Sequence, residues 1–158
     1  MPDSRIVLIA HAPLASALKA CARHVFADRA EQIVVVDVTA EHDVASWHAK
    51  AGEWLGDSNA PVLLLTDVFG ATPFNIARDW ADWCVEQGME ARVLTGANVP
   101  MLLRAITYSD EPLAQWVERA ESGGVQGIIA VSPNVVPKAG RQQSVRHSYD
   151  SDQNHHHQ

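Results

Sequence analysis

Four short, almost unbroken apolar runs recur along the first part of the chain: RIVLIA (5–10), QIVVVDV (32–38), APVLLLT (60–66) and ARVLT (91–95). Each is rich in leucine or β-branched residues and lacks the alternation of a strand with one wet face. Strands of that kind have to be covered on both sides, as in a parallel sheet. The segments between them carry helical spacing instead. LASALKACARHVF (14–26) sets Leu14, Leu18, Cys21 and Val25 on one stripe, and DVASWHAKAGEWL (43–55) does so with Val44, Trp47, Ala51 and Trp54. PFNIARDWADWCVEQG (73–88) opens on Pro73, suited to a first helical position, and stops at Gly88. Strands alternating with helices imply right-handed βαβ units, hence a three-layer αβα domain with a parallel sheet in the middle.

After the fourth run, PMLLRAITYS (100–109) and EPLAQWVERAESGG (111–124) read as helices, the second closed by Gly123-Gly124. VQGIIAVS (125–132) reads as a fifth strand at an edge. From Pro133 the chain turns polar, so the expectation is one domain over 1–132 and a disordered tail over 133–158. His155, His156 and His157 in that tail read as a solvated terminus rather than a metal site.

Several function classes are disfavoured. A net charge of -7 opposes nucleic-acid binding, which needs a basic face. Cys21 and Cys84 have no CxxC spacing, so neither a disulfide framework nor a zinc site is expected, and both thiols read as buried. There is no signal-peptide pattern and no apolar run near the ~20 residues of a membrane span, which predicts a cytoplasmic protein. Neither a GxGxxG nor a GxxxxGK[ST] loop occurs, so nothing supports a bound nucleotide.

In an open parallel sheet, ligands bind beyond the carboxyl ends of the strands. His11 stands at the end of the first strand and Asp67 at the end of the third. If those strands are neighbours, the carboxylate can hold one ring nitrogen and leave the other free to attack. Taken singly, His11 reads equally well as a packed histidine at a strand end, and Asp67 as a capping residue. The stretch TDVFGATPFN (66–75) adds Gly70, which permits an unusual backbone, and Thr72, a candidate N-cap beside an anion-friendly helix start. APLAS (12–16) repeats that design after His11. TGANVPML (95–102) places Asn98 where an ordinary N-cap would stand.

Together, IAHAPLA, TDVFGATPFNIA and GANVPMLLRA resemble the EIIA domains of the mannose-type sugar phosphotransferase system, over roughly Arg5 to Ser132. The resemblance implies a phosphocarrier in which His11 takes a phosphoryl group from HPr on Nε2 while Asp67 holds the opposite nitrogen. Thr72 then matches the hydroxyl that helps bind the group, with Ala12, Gly70 and Asn98 completing the phosphate site. It also implies a homodimer in which Val125 to Ser132 is an antiparallel strand exchanged between subunits. Phosphoryl transfer between histidines needs no metal and no cofactor. The family commonly has glycine after the histidine, where this chain has Ala12. Many transporters of this type continue into an EIIB domain, whereas a polar tail is read here, so the acceptor is expected to be a separate EIIB protein, or absent. Two alternatives stand beside this: a regulatory module whose phosphorylation state controls a binding target, and a phosphocarrier for a dihydroxyacetone kinase.

Overall fold

The computed structural model describes residues 4–134. The tail with its three histidines lies outside them, apart from Pro133 and Asn134. Four strands, β1 (Arg5–His11), β2 (Val34–Val38), β3 (Val62–Thr66) and β4 (Ala91–Leu94), form a wholly parallel sheet in the order β2-β1-β3-β4. The helices are α1 (Leu14–Arg23), α2 (Ala27–Glu31), α3 (Val44–Leu55), α4 (Thr72–Glu86), α5 (Val99–Thr107) and α6 (Leu113–Gln126).

Side-chain alternation along the strands builds two core layers. Ile6, Leu8, Ala10, Leu63 and Leu65 face α1, α5 and α6, while Val7, Ile9, Val62 and Leu64 face α3 and α4. Both layers are anchored by a fully buried tryptophan whose indole N–H donates to a carbonyl, Trp116 to Ala105 O and Trp80 to Trp47 O. Each indole removes roughly 200 Å² from water, which stabilises the fold by about 5 kcal/mol. The three-layer αβα expectation therefore holds.

Three expectations are corrected. The first helix ends at Arg23 instead of continuing to Phe26; Val25 is consequently exposed, and Phe26 packs on the core ahead of α2. Its buried stripe is Ala15, Leu18 and Ala22, so Cys21 points outward and only Cys84 is buried. The third concerns the fifth strand. Gly123-Gly124 does not stop α6 but lies inside it, because α5 presses on this face. A Cβ on Gly123 would sit 2.2 Å from Arg104 Cγ, and one on Gly124 would sit 2.9 Å from Met101 Cε. Val125 and Gln126 are thus helical. Residues 127–132 carry no strand pairing within the single chain, and Ile128, Ile129 and Val131 stand exposed.

Candidate functional site

Strand order places the crossover reversal between β1 and β3, since β2 lies on one side of β1 and β3 on the other. That is the switch point at which an open parallel sheet leaves a crevice. His11 is the last residue of β1, and Asp67 directly follows β3. The two do meet: Asp67 Oδ2 lies 2.7 Å from His11 Nδ1 and accepts the His11 backbone N–H at 3.1 Å. Its other oxygen accepts Val68 N–H at 3.0 Å. Burial pushes the Asp67 carboxyl up, but the His11 ring, the His11 and Val68 N–H groups and the His11 charge outweigh it and hold the group below the ordinary carboxylate range. An ionised carboxylate can only accept, so Nδ1 carries the proton and a neutral His11 keeps its lone pair on Nε2. The side chain of His11 is 55% exposed and that of Asp67 only 10%, so the carboxylate is set in the protein and the ring looks out.

The helices that begin on this edge differ in one respect. The start of α1 is closed by Asp37, which accepts Ser16 N–H at 3.1 Å and is hydrogen-bonded by the Ser16 hydroxyl. The start of α3 is closed by Asp43 in a reciprocal capping box with Ser46. Asn98 closes α5, accepting Met101 N–H at 2.9 Å while its Nδ2 donates to Gly124 O at 3.0 Å. Only α4 starts without a side-chain cap: its N-cap is Ala71, and Thr72 is the first helical residue rather than the cap. Among the described residues, the backbone N–H groups of Phe69, Gly70, Ala71, Thr72 and Phe74 donate to no protein acceptor. Gly70, at φ 81°, turns the backbone through this stretch, and the Thr72 side chain is exposed and unbonded. Free N–H groups at a helix N-terminus make a seat for an anion.

The other residues expected in a phosphate site are placed differently. Ala12 gives its N–H to Val38 O at 2.9 Å, and Asn98 has both ends of its amide engaged. APLAS thus lacks the open helix start expected of it, because Asp37 fills that end. Sequence spacing could not show this, since Asp37 comes from a different strand.

Sequence reading also passed over Val68 and Phe69. They directly follow Asp67 and are 54% and 76% exposed, Phe69 leaning on Phe74 with ring centroids 4.8 Å apart. An apolar pair in a turn is the only signal the sequence offers for them. A second histidine–carboxylate pair was missed as well: His48 Nδ1 lies 2.7 Å from Asp79 Oδ2, with the His48 side chain 59% exposed. It bridges α3 and α4 within their lengths, where no helix N-terminus is free, so the pair alone does not make an anion site. A broad cleft of about 970 Å³ lies at the opposite, amino edge of the sheet, lined by Arg5, Arg29, Asp57 and Asp110 among others. Arg5 is committed there to the carbonyls of Leu55 and Ser58.

Among the described residues, no helix is long and apolar enough to cross a membrane. Residues 5–120 match the family model described as PTS system fructose IIA component, EIIA-man. Among solved structures, the chain is similar to the mannose/sorbose-specific IIA subunit of the phosphotransferase system from Enterococcus faecalis. Identity is 23%, with 85% of this chain and 97% of that one covered at a TM-score of 0.73. It is also similar to phosphotransferase system component EIIA from Streptococcus agalactiae, at 23% identity, 80% and 96% coverage and a TM-score of 0.70. At such identity these likenesses show the fold alone. No curated protein matches the chain.

Proposed function

The chain belongs to the EIIA-man family of phosphotransferase-system IIA components, and from that premise we propose that it carries a phosphoryl group on His11 Nε2, taken from phospho-HPr and passed to an EIIB protein. The observation that carries this reading is the arrangement around one atom. Asp67 holds Nδ1 at 2.7 Å, the ring is left exposed, and the turn that follows Asp67 leads into the one uncapped helix start on the rim. In the transfer, the Nε2 lone pair attacks phosphorus as the donor's N–P bond breaks. The donor ring, protonated on its other nitrogen, leaves as neutral imidazole. His11 keeps its Nδ1–H and becomes a phosphoimidazolium, whose positive charge faces the Asp67 carboxylate. No proton has to move. Gly70, Thr72 and the free N–H groups of the turn stabilise the phosphoryl oxygens, while Ala12 and Asn98 fix the flanking loops.

A group delivered to an exposed ring has to come from a surface laid against its surroundings. Residues 11–18 and 68–77 contain no Asp, Glu, Lys or Arg. The donor face that fits is therefore apolar at its centre, with Val68 and Phe69 as the docking lip, although the chain as a whole is acidic. The same lip serves the acceptor in its turn, whether an EIIB protein or a regulatory target. The exposed Ile128, Ile129 and Val131, together with a β4 edge that is unpaired among the described residues, support a homodimer in which 127–132 adds to the partner's sheet.

The test is to incubate the protein with phosphoenolpyruvate, enzyme I and HPr and to look for acid-labile phosphate. The parent is expected to be labelled on His11 and His11→Ala to remain unlabelled. Equal labelling of the two sinks the proposal.

A further inference from the structure

Thr66 is the one buried polar residue among the described residues; it is wholly inaccessible, and its Oγ1 has no hydrogen-bond partner. Its main chain is engaged, since Thr66 O accepts Ala97 N–H at 2.9 Å and the next carbonyl, of Asp67, accepts Gly96 N–H at 3.1 Å. Alternation along β3 puts its side chain with Val62 and Leu64, on the face covered by α4. His11 alternates onto that same face behind Val7 and Ile9, and Ile9 pairs directly with Thr66. The hydroxyl therefore lies one step below the reactive ring, at the foot of the Asp67–Ala71 turn.

A valine would fill this space with the same shape. An orphan hydroxyl in the interior destabilises the fold unless some other state gives it a partner. The buried residues of that layer, Ile9, Leu64 and Ile76 among them, are apolar, and its other unpaired buried donor, Trp47 Nε1, belongs to α3. The turn that leads to α4 begins at the very next residue, and its N–H groups at Phe69, Gly70, Ala71 and Thr72 are equally unpaired.

We propose that Thr66 is a positioning residue for the phosphorylated state: when a phosphoryl group on His11 draws the turn down, Thr66 Oγ1 takes a hydrogen bond from that turn and favours phosphorylation. The inference rests on His11 being the phosphoryl site. A hydroxyl unpaired in one state and paired in the other couples the two by the free energy of the bond it gains. One neutral hydrogen bond, about 1.4 kcal/mol, corresponds to about tenfold in the equilibrium constant.

The experiment compares Thr66→Val and Thr66→Ser with the parent in the full chain. Two quantities are measured: the urea midpoint of the unphosphorylated and phosphorylated forms, and the equilibrium phosphorylated fraction against a fixed ratio of phospho-HPr to HPr. Thr66→Val is expected to raise the midpoint of the unphosphorylated form and to lower the phosphorylation constant about tenfold, with Thr66→Ser restoring the parent value. Equal stabilisation of both forms with an unchanged constant overturns the inference and leaves the function standing. So does a Thr66→Val protein that folds less stably with an unchanged constant. A parent that takes no phosphate on His11 overturns both.

Discussion

Replacing Asp67 with asparagine removes one charge and keeps the shape, so its consequences can be worked from the contacts. Oδ2 accepts both His11 N–H groups, and Oδ1 accepts Val68 N–H. An amide with its oxygen toward His11 preserves the first two bonds and turns its NH₂ toward Val68 N–H. The reverse orientation presents NH₂ to Nδ1, which favours the ring tautomer without an Nε2 lone pair. In the better orientation, the loss is the difference between a charge-assisted hydrogen bond and a neutral one, roughly 1–2 kcal/mol. The His11 ring is 55% exposed, and solvent screening brings the figure toward the lower end. About 1.4 kcal/mol slows transfer roughly tenfold; any population of the reverse orientation slows it further. Single-turnover transfer from labelled HPr at saturating donor isolates this step, and the expected result is a fall in kcat with KM within about twofold of the parent. The pH dependence of stability gives a second readout. The Asp67 pKa is lowered on folding, so its contribution is present above the ordinary carboxylate value near ~4 and lost as pH falls through the depressed one. The stability gap between parent and Asp67→Asn should therefore be constant above that value and close below it. A folded Asp67→Asn protein transferring within twofold of the parent rate refutes the role given to the carboxylate.

Two further substitutions separate docking from scaffold. Phe69→Ser removes an exposed aromatic, so thermal stability should be unchanged while KM for phospho-HPr rises by roughly 5- to 30-fold, the range for losing an interface anchor; an unchanged KM takes Phe69 out of the donor interface. Asn98→Asp keeps the cap on Met101 N–H but loses the donor to Gly124 O and sets a carboxylate against that carbonyl. Urea unfolding should show a loss of about 1–3 kcal/mol, and parental stability would mean that this amide does not tie α5 to α6.

The layers and the pairing at the switch point were legible because they follow from patterns that are local in sequence. Unbroken apolar runs such as VLLLT require cover on both faces, and βαβ chirality then brings the ends of β1 and β3 to one rim. What escaped depends on contacts across the fold. Gly123-Gly124 has the composition of a helix stop, yet α5 packs so closely that only glycine fits there inside α6. Cys21 matches a stripe begun at Leu14 by spacing, but the face that packs on the sheet is the one begun at Ala15, so Ala22 takes the inward place. Val125 to Ser132 reads as a strand by propensity, but α6 takes up Val125 and Gln126, and 127–132 pairs with no strand among the described residues. Asp37 reads as one of the residues that end the second strand, and only the fold shows it plugging the start of α1.

That plug bears on which helix start is open to an anion. Four helices begin on the carboxyl edge, and three of them have a side chain at their first free N–H groups. Capping an N-terminus stabilises a protein by about 1 kcal/mol, so an uncapped α4 forgoes stability its neighbours have. Within the same few residues Thr66 leaves a hydroxyl unpaired in the core, and Phe69 holds an aromatic ring in water. Each departure destabilises the protein on its own, and each could be removed by one substitution. Such departures gather where a chain is shaped for a second state or a partner. Here all three occur between Thr66 and Thr72, with a common remedy in an anion on His11 and a protein surface over it. Buried polar atoms without a partner occur at Arg5 Nε and Trp47 Nε1 as well, but among the described residues only this stretch joins one to an uncapped helix start and an exposed aromatic ring beside Asp67, and under the role proposed for His11 that makes the β3–α4 turn the element that responds to phosphorylation.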